Sequence, residues 1–308
     1  MKHIFIVNPH AGQKRSAEIE ISEQLKDTGI DYEIYTTKEP GDATRYIKER
    51  CQRDRDTIMR FYACGGDGTL KEVTDGVVGF ENAELSCYPI GSGNDFVKYY
   101  GGKDKFMDLV SLCNTEAHEI DLIKVGDNYS INVTNFGFDA CVAETMHKVR
   151  RKKLVGGKNA YTTGIAKAIF CAMKNHAEVY ADGELLNPKG VFLLCTIANG
   201  KYVGGSYKCA PYSSNCDGYL EVGFALPISI FTFLALIGKY KLGTHLEDPS
   251  FKKFFLYRRV KEVYVKSNKE FTITLDGELQ KVTEFTATVV PKAVKFAAPE
   301  NCGCKCNK

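Results

Sequence analysis

Residues 64–72 read Cys64-Gly65-Gly66-Asp67-Gly68-Thr69-Leu70-Lys71-Glu72. A mostly apolar and aromatic run, Ile58 to Ala63, leads in, and a helical pattern, Leu70, Val73 and Val77, leads out. The pattern predicts a strand-to-helix turn at Gly65-Gly66-Asp67-Gly68-Thr69. In such a turn, backbone N–H groups and a helix N-terminus can hold phosphate. The three glycines leave no Cβ in the way of a polyanion. Thr69 is expected to cap the helix and to offer its hydroxyl. Asp67 is out of place in a pure anion cradle, because a carboxylate repels phosphate. It makes sense if Mg²⁺ lies between them, or if the carboxylate handles a proton. A tight turn with a helix cap would use the same residues. The spacing matches neither G-x-x-x-x-G-K-[ST] nor G-x-G-x-x-G, so the cluster needs support from elsewhere in the chain.

Support comes about 25 residues later, at Gly91-Ser92-Gly93-Asn94-Asp95-Phe96. This cluster follows a short apolar run, Cys87 to Ile90, and precedes a weak helical pattern. Two glycine-rich strand-to-helix turns in succession are expected side by side at the carboxyl edge of a parallel sheet. That edge is where open α/β sheets bind ligands. Ser92 and Asn94 add neutral hydrogen-bonding groups, and Asp95 adds a second carboxylate.

The chain has 308 residues, enough for about two domains, and is 44% hydrophobic. Its net charge of +3 is too small to mark a nucleic-acid binder. No apolar stretch reaches the length of a membrane span. The N-terminus, Met1 to Val7, reads as a strand and not as a signal peptide, so a cytoplasmic setting is expected. Of twelve cysteines, nine stand singly, several inside apolar runs, as suits buried thiols in a reduced compartment. Cys302, Cys304 and Cys306 form a tail, 301–308, with no His to complete a zinc set.

Character changes near residue 125. Before it, short apolar runs alternate with helical patterns at 16–28, 42–51 and 69–79, which reads as βαβ units. After it, alternating runs dominate, at Ser130 to Asn135, Phe271 to Asp276 and Phe285 to Val290. Val191 to Ala198 is almost continuously apolar, as in a buried strand. The expectation is an α/β N-terminal domain with a parallel sheet, followed by a β-rich antiparallel C-terminal domain.

With these motifs in hand, the sequence resembles the diacylglycerol kinase catalytic-domain family of bacterial lipid kinases. Sphingosine and ceramide kinases are more distant relatives, and NAD kinase shares a related Gly-Gly-Asp-Gly turn. The likeness spans nearly the whole chain. It runs from Ile6-Val7-Asn8-Pro9 and Gly12, through Thr37 with Gly41-Asp42-Ala43 and the two glycine clusters, to Asn135-Phe136-Gly137-Phe138-Asp139. It continues with Asn199-Gly200, Gly204-Gly205, Ala210-Pro211 and Asp217-Gly218-Tyr219-Leu220-Glu221-Val222, and ends at Asp276-Gly277-Glu278. The resemblance implies domains at 1–125 with about 291–300, and at 126–290, with the active site in a cleft between them. It implies ATP gripped by Thr37, Gly65, Gly66, Asp67, Gly68, Thr69, Ser92 and Asn94, with Mg²⁺ on the nucleotide. It also implies a second Mg²⁺ site, made by the Asp217 carboxylate and the carbonyls of Ser214 and Tyr219, although Cys216 replaces the acidic or polar residue usual before this Asp. Glu278 is implied as proton acceptor from the lipid hydroxyl, with Asp276 as rival and Asp67 as a third catalytic carboxylate. Without the resemblance, Asp276-Gly277 would read as a hairpin turn and Asp217-Gly218 as a plain turn.

Two further stretches bear on a lipid. Phe224 to Gly238 is mostly apolar, followed by Lys239 and Lys241, and reads as a core helix with a membrane-facing helix as rival. Arg150 to Lys153 is basic, which suits a solvated helix end or attraction to anionic lipid. The expected function is ATP- and Mg²⁺-dependent phosphorylation of diacylglycerol to phosphatidic acid, by an enzyme peripheral at the inner membrane surface. A sphingoid acceptor, NAD, or a non-catalytic sensor are the alternatives. The expected partners are the lipid substrate and, as a homodimer, a second copy of the chain.

Overall fold

The structure is a computed structural model that describes residues 1–12, 16–151 and 157–299. The side chains of Arg150 to Lys153 and the cysteine tail lie outside the described residues. Met1–Leu122, with the chain again from Pro291, forms one compact unit, and Ile123–Val290 forms the other.

The first unit runs β1 (Lys2–Val7), α1 (Ala17–Leu25), β2 (Tyr32–Thr36), α2 (Asp42–Arg53), β3 (Met59–Gly65), α3 (Asp67–Val77), β4 (Ala83–Pro89), α4 (Leu109–Asn114) and β5 (Ala117–Val125). Its parallel strands lie in the order β2-β1-β3-β4. All seven residues of β3 are buried, as expected of a central parallel strand covered on both faces. α2 turns Ala43, Ile47 and Cys51 inward at a spacing of four, and α3 turns Leu70, Val73 and Val77 inward. In register, Val7 lies beside Thr36 and Cys64, and Gly65 lies beside Pro89. The carboxyl ends of four strands are thereby level. The helical pattern after the second glycine cluster is a 3₁₀ turn, Phe96–Tyr100.

The second unit contains β6 (Asn128–Ser130), β7 (Val133–Gly137), α5 (Phe138–Arg151), α6 (Gly157–Cys171), β8 (Asn175–His176), β9 (Glu178–Ala181), β10 (Glu184–Leu185), β11 (Val191–Phe192), β12 (Leu194–Ala198), β13 (Leu220–Ala225), α7 (Ile230–Leu242), β14 (Phe255–Val260), β15 (Glu262–Leu275) and β16 (Glu278–Ala297). Its main strands are antiparallel, in the order β14-β13-β12-β7-β15-β16. A register shift between Lys266 and Phe271 lets β15 pair with β9 at one end and with β7 at the other. One sheet face packs a core with Phe136, Ile197, Val222 and Phe224. The other is covered by α5, α6 and α7 through Val142, Ala168 and Phe233. The last residues of β16, Lys295 and Phe296, run parallel to Glu84 and Leu85 of β4 in the first unit.

The run Phe224 to Gly238 is not one core helix. Phe224 and Ala225 end β13, and α7 buries only Phe233 and Tyr240. Among the described residues, no helix is long and apolar enough to cross a membrane.

Candidate active site

In the first unit the two glycine clusters touch. A Cβ on Gly91 would stand 2.3 Å from the Gly66 Cα, and one on Gly65 would stand 2.1 Å from the Thr69 hydroxyl. A Cβ on Gly93 would meet the Asp67 carboxylate at 2.5 Å. Gly91 and Gly93 are therefore glycine because the turns pack on each other, and Gly65 because Thr69 of its own turn folds back over it. Gly68 alone among the first three glycines is exposed and faces open space. Backbone bonds join the turns as well, because the N–H groups of Ile90 and Gly91 both donate to the Gly65 carbonyl at 3.0 Å.

Asp67 bridges the pair. Its Oδ1 accepts the Asp95 backbone N–H at 2.7 Å. The Asp95 carboxylate in turn takes Lys98 Nζ at 2.6 Å. Asn94 adopts a left-handed φ of 49° and donates to the Gly91 carbonyl at 2.6 Å, so its amide is spent within its own turn. Ser92 is exposed at the tip of the second turn. Thr37 donates to the Val7 carbonyl through both N–H and hydroxyl, at 2.9 and 3.3 Å.

Thr69 does not cap α3. The helix starts two residues earlier with Gly66 at the cap position and no side-chain cap, and the Thr69 hydroxyl accepts from Asn8 Nδ2 at 3.1 Å. The first intrahelical bond runs from Leu70 N–H to the Gly66 carbonyl at 3.0 Å. The N–H groups of the preceding turn stand before the helical ladder, where an anion is stabilised. These residues fit a phosphate chain, which is what ATP presents. Asn8 joins the site although the sequence singled it out only as part of a motif.

In the second unit, Asp276 and Gly277 form a two-residue hairpin turn between β15 and β16, with positive φ at both positions, 51° and 91°. Asp276 is heavily engaged. Its Oδ1 accepts Ser130 Oγ at 2.7 Å and the N–H groups of Asn132 and Val133 at 3.0 Å, and its Oδ2 accepts the Ile131 N–H at 2.8 Å. Burial pushes its carboxyl above the usual range, and these donors oppose that push. It shapes the β6–β7 connection. Glu278 follows, exposed, as the first residue of β16. His147 of α5 lies 3.1 Å from the Gly277 carbonyl.

The Asp217 carboxylate is turned to Arg259. Its Oδ2 lies 2.6 Å from the guanidinium, and its Oδ1 accepts the Tyr219 N–H at 3.1 Å. Lys261 stands 5.4 Å over the Tyr219 ring. Glu221 lies 3.6 Å from the Arg259 guanidinium. As arranged, Asp217 is ion-paired, and a Mg²⁺ ion held by Asp217 with the Ser214 and Tyr219 carbonyls would have to displace Arg259 from it. Cys216 is disulfide-bonded, not the lone thiol expected, and its sulfur is no thiolate ligand.

One carboxylate was given no role from sequence. Asp139 follows Gly137, which must be glycine because its φ is 83° and a Cβ would lie 2.7 Å from the Leu193 carbonyl. The Asp139 Oδ2 is buried with no hydrogen-bond partner, and burial raises its pKa to about 6. It lines a pocket with Phe138, Ile165, Leu194, Val203, Phe233 and Ile237. On the helix-covered face of the sheet, Thr196, Asn135 and Thr274 stand in one cross-strand row, and Thr196 Oγ1 and Asn135 Oδ1 are buried without partners.

The fold and turns define a two-unit protein with interlocked glycine turns at a parallel-sheet edge in one unit and buried carboxylate oxygens in the other. Residues 2–125 match the diacylglycerol kinase catalytic domain, and residues 132–298 match the YegS C-terminal NAD kinase beta sandwich-like domain. The chain belongs to this lipid kinase family. Over 279 residues it is 28% identical to a protein of Alcanivorax borkumensis named "Probable lipid kinase YegS-like", covering 90% of each chain. It is also 28% identical to the protein of Bacillus subtilis named "Diacylglycerol kinase", covering 89% of this chain and 88% of that one. The crystal structure of a diacylglycerol kinase from Bacillus anthracis superposes with a TM-score of 0.72 over 97% of each chain at 20% identity, a likeness of fold.

Proposed function

We propose that the chain transfers the γ-phosphate of ATP to the hydroxyl of diacylglycerol, giving phosphatidic acid and ADP. The observation that carries the nucleotide half is the interlocked pair of turns, with Asp67 bound to the Asp95 N–H at 2.7 Å. The α3 N-terminus takes phosphate charge, and the exposed Gly68 and Ser92 lie where the nucleotide reaches the turns. Mg²⁺ on the nucleotide would offset phosphate charge during in-line transfer.

The acceptor half is assigned to the second unit. The lipid hydroxyl gives its proton to Glu278 as its oxygen bonds to the γ-phosphorus and the bond to ADP breaks. Asp276, whose oxygens already accept four hydrogen bonds, suits a positioning role better than that of base. The apolar side chains beside Asp139 offer the lipid a hydrocarbon contact, with the unpaired carboxylate as a polar handle. That carboxylate also favours a second reading, a sphingoid alcohol, whose ammonium would pair with it more strongly than a hydroxyl does. The test is transfer from labelled ATP to a panel of diacylglycerol, sphingoid base and NAD. Label in phosphatidic acid is expected. Label chiefly in the sphingoid product selects the second reading, and label in NADP overturns both.

A further inference from the structure

Helix α7 carries apolar side chains on both sides. Its inner side buries Phe233 and Tyr240 and contributes Ile237 to the pocket beside Asp139. Its outer side leaves Phe231 86%, Leu234 56% and Leu242 72% exposed. These three, with Gly238, recur three or four residues apart, so they form one stripe. α7 holds no acidic residue, while Lys239 and Lys241 occupy its last turn. From Leu226 to Lys253 there are four lysines against Glu247 and Asp248. Lys239 is paired with Asp248, Lys241 stands 5.7 Å over the Tyr207 ring, and Lys252 and Lys253 are exposed.

We propose that this outer face of α7 is a docking surface for an anionic lipid bilayer. The helix would lie in the membrane plane. Phe231, Leu234 and Leu242 would enter the acyl boundary while the lysines stay among the headgroups, the pattern of interfacial helices. At 13 residues, or about 20 Å, the helix is too short to cross. Charge argues for a membrane over a second copy of the chain. An isologous contact along the stripe would bring like-charged helix ends to a surface where α7 offers no carboxylate. Docked this way, α7 has the bilayer on one side and the apolar pocket on the other. The docking itself stands apart from the lipid-kinase reading, which supplies only its purpose.

The test uses the full chain with Phe231→Ser, Leu234→Ser and Leu242→Ser combined. These side chains are exposed, so the fold should hold, and circular dichroism checks it. Sedimentation with phosphatidylcholine–phosphatidylglycerol vesicles should show partitioning weakened by about a hundredfold. Phosphorylation of a short-chain acceptor in solution should be unchanged. Lys241→Gln, Lys252→Gln and Lys253→Gln together should weaken binding by about tenfold and flatten its salt dependence. Wild-type partitioning by the triple serine variant overturns the proposal. So does a wild-type dimer that this variant splits while vesicle binding persists. A wild type inactive on the short-chain acceptor defeats the kinase reading and leaves the docking result intact.

Discussion

The glycine turns of the first unit and the helix-covered sheet face of the second treat polar groups in opposite ways. In the turns, Asp67, Asn94 and Thr69 all have named partners, as does Thr37 at the neighbouring end of β2, and the two loops brace each other through contacts only glycine allows. On the sheet face, Asp139, Asn135 and Thr196 bury polar atoms that have none. Native proteins seldom leave such atoms unpaired. Under the proposed function, the first region would receive a ligand whose charge is fixed, the phosphate chain, on loops that already brace each other. The second holds uncompensated polar groups in apolar surroundings, which under the same proposal would face an acceptor part hydrocarbon and part hydroxyl.

The comparison breaks most sharply at Asp67. Asp67→Ala should lower phosphoryl transfer by about a hundredfold or more through lost positioning, with the fold intact by circular dichroism. Activity near wild type would remove Asp67 from the site. Glu278→Gln should lower kcat by roughly a hundredfold with ATP binding little changed. Asp276→Ala should act on the fold as well, costing about 2–4 kcal/mol in urea denaturation because the donors of residues 130–133 lose their acceptor. If Asp276→Ala is fully stable and only inactive, Asp276 is the base and Glu278 is not.

Asp139 gives a pH signature. Burial raises its folded pKa to about 6, above the ordinary aspartate value of 3.8. The folded state therefore holds the proton more tightly, and the carboxyl destabilises the fold progressively as pH rises through this window. Asp139→Asn should then stabilise the protein by about 2–3 kcal/mol above pH 6. That gain should vanish below about pH 4, where both states are protonated. A gain that does not vary with pH would mean the carboxyl is not buried as described. The smallest contrast lies within the turns. Gly91→Ala should cost about 1–3 kcal/mol of stability by overpacking. Gly68→Ala, into open space, should stay within about 0.5 kcal/mol.

How much of this was legible in the sequence follows from how local each feature is. The turn at 65–69 is written in nine consecutive residues, so its strand, glycines and helix could be read directly. By residue type Thr69 is the better cap of α3, yet Gly66 takes that place and Thr69 packs against Gly65. The sequence placed the two glycine clusters side by side, but not the reason for Gly91, which is the Gly66 backbone. The row Thr196, Asn135 and Thr274 joins strands far apart in the chain, and periodicity within one strand cannot give cross-strand register. Asp217 reads as a ligand by motif, but Arg259, 42 residues on, decides its partner. In α7 the apolar count predicted burial, whereas two sides of one helix share it unequally.

The division of labour is tested most directly by measuring KM for ATP and for lipid in Gly91→Ala and Asp139→Asn side by side. The account predicts that Gly91→Ala raises KM for ATP by about tenfold and leaves the lipid value unchanged, while Asp139→Asn moves the lipid value alone. Both substitutions moving both constants together, or the pattern reversed, would contradict it.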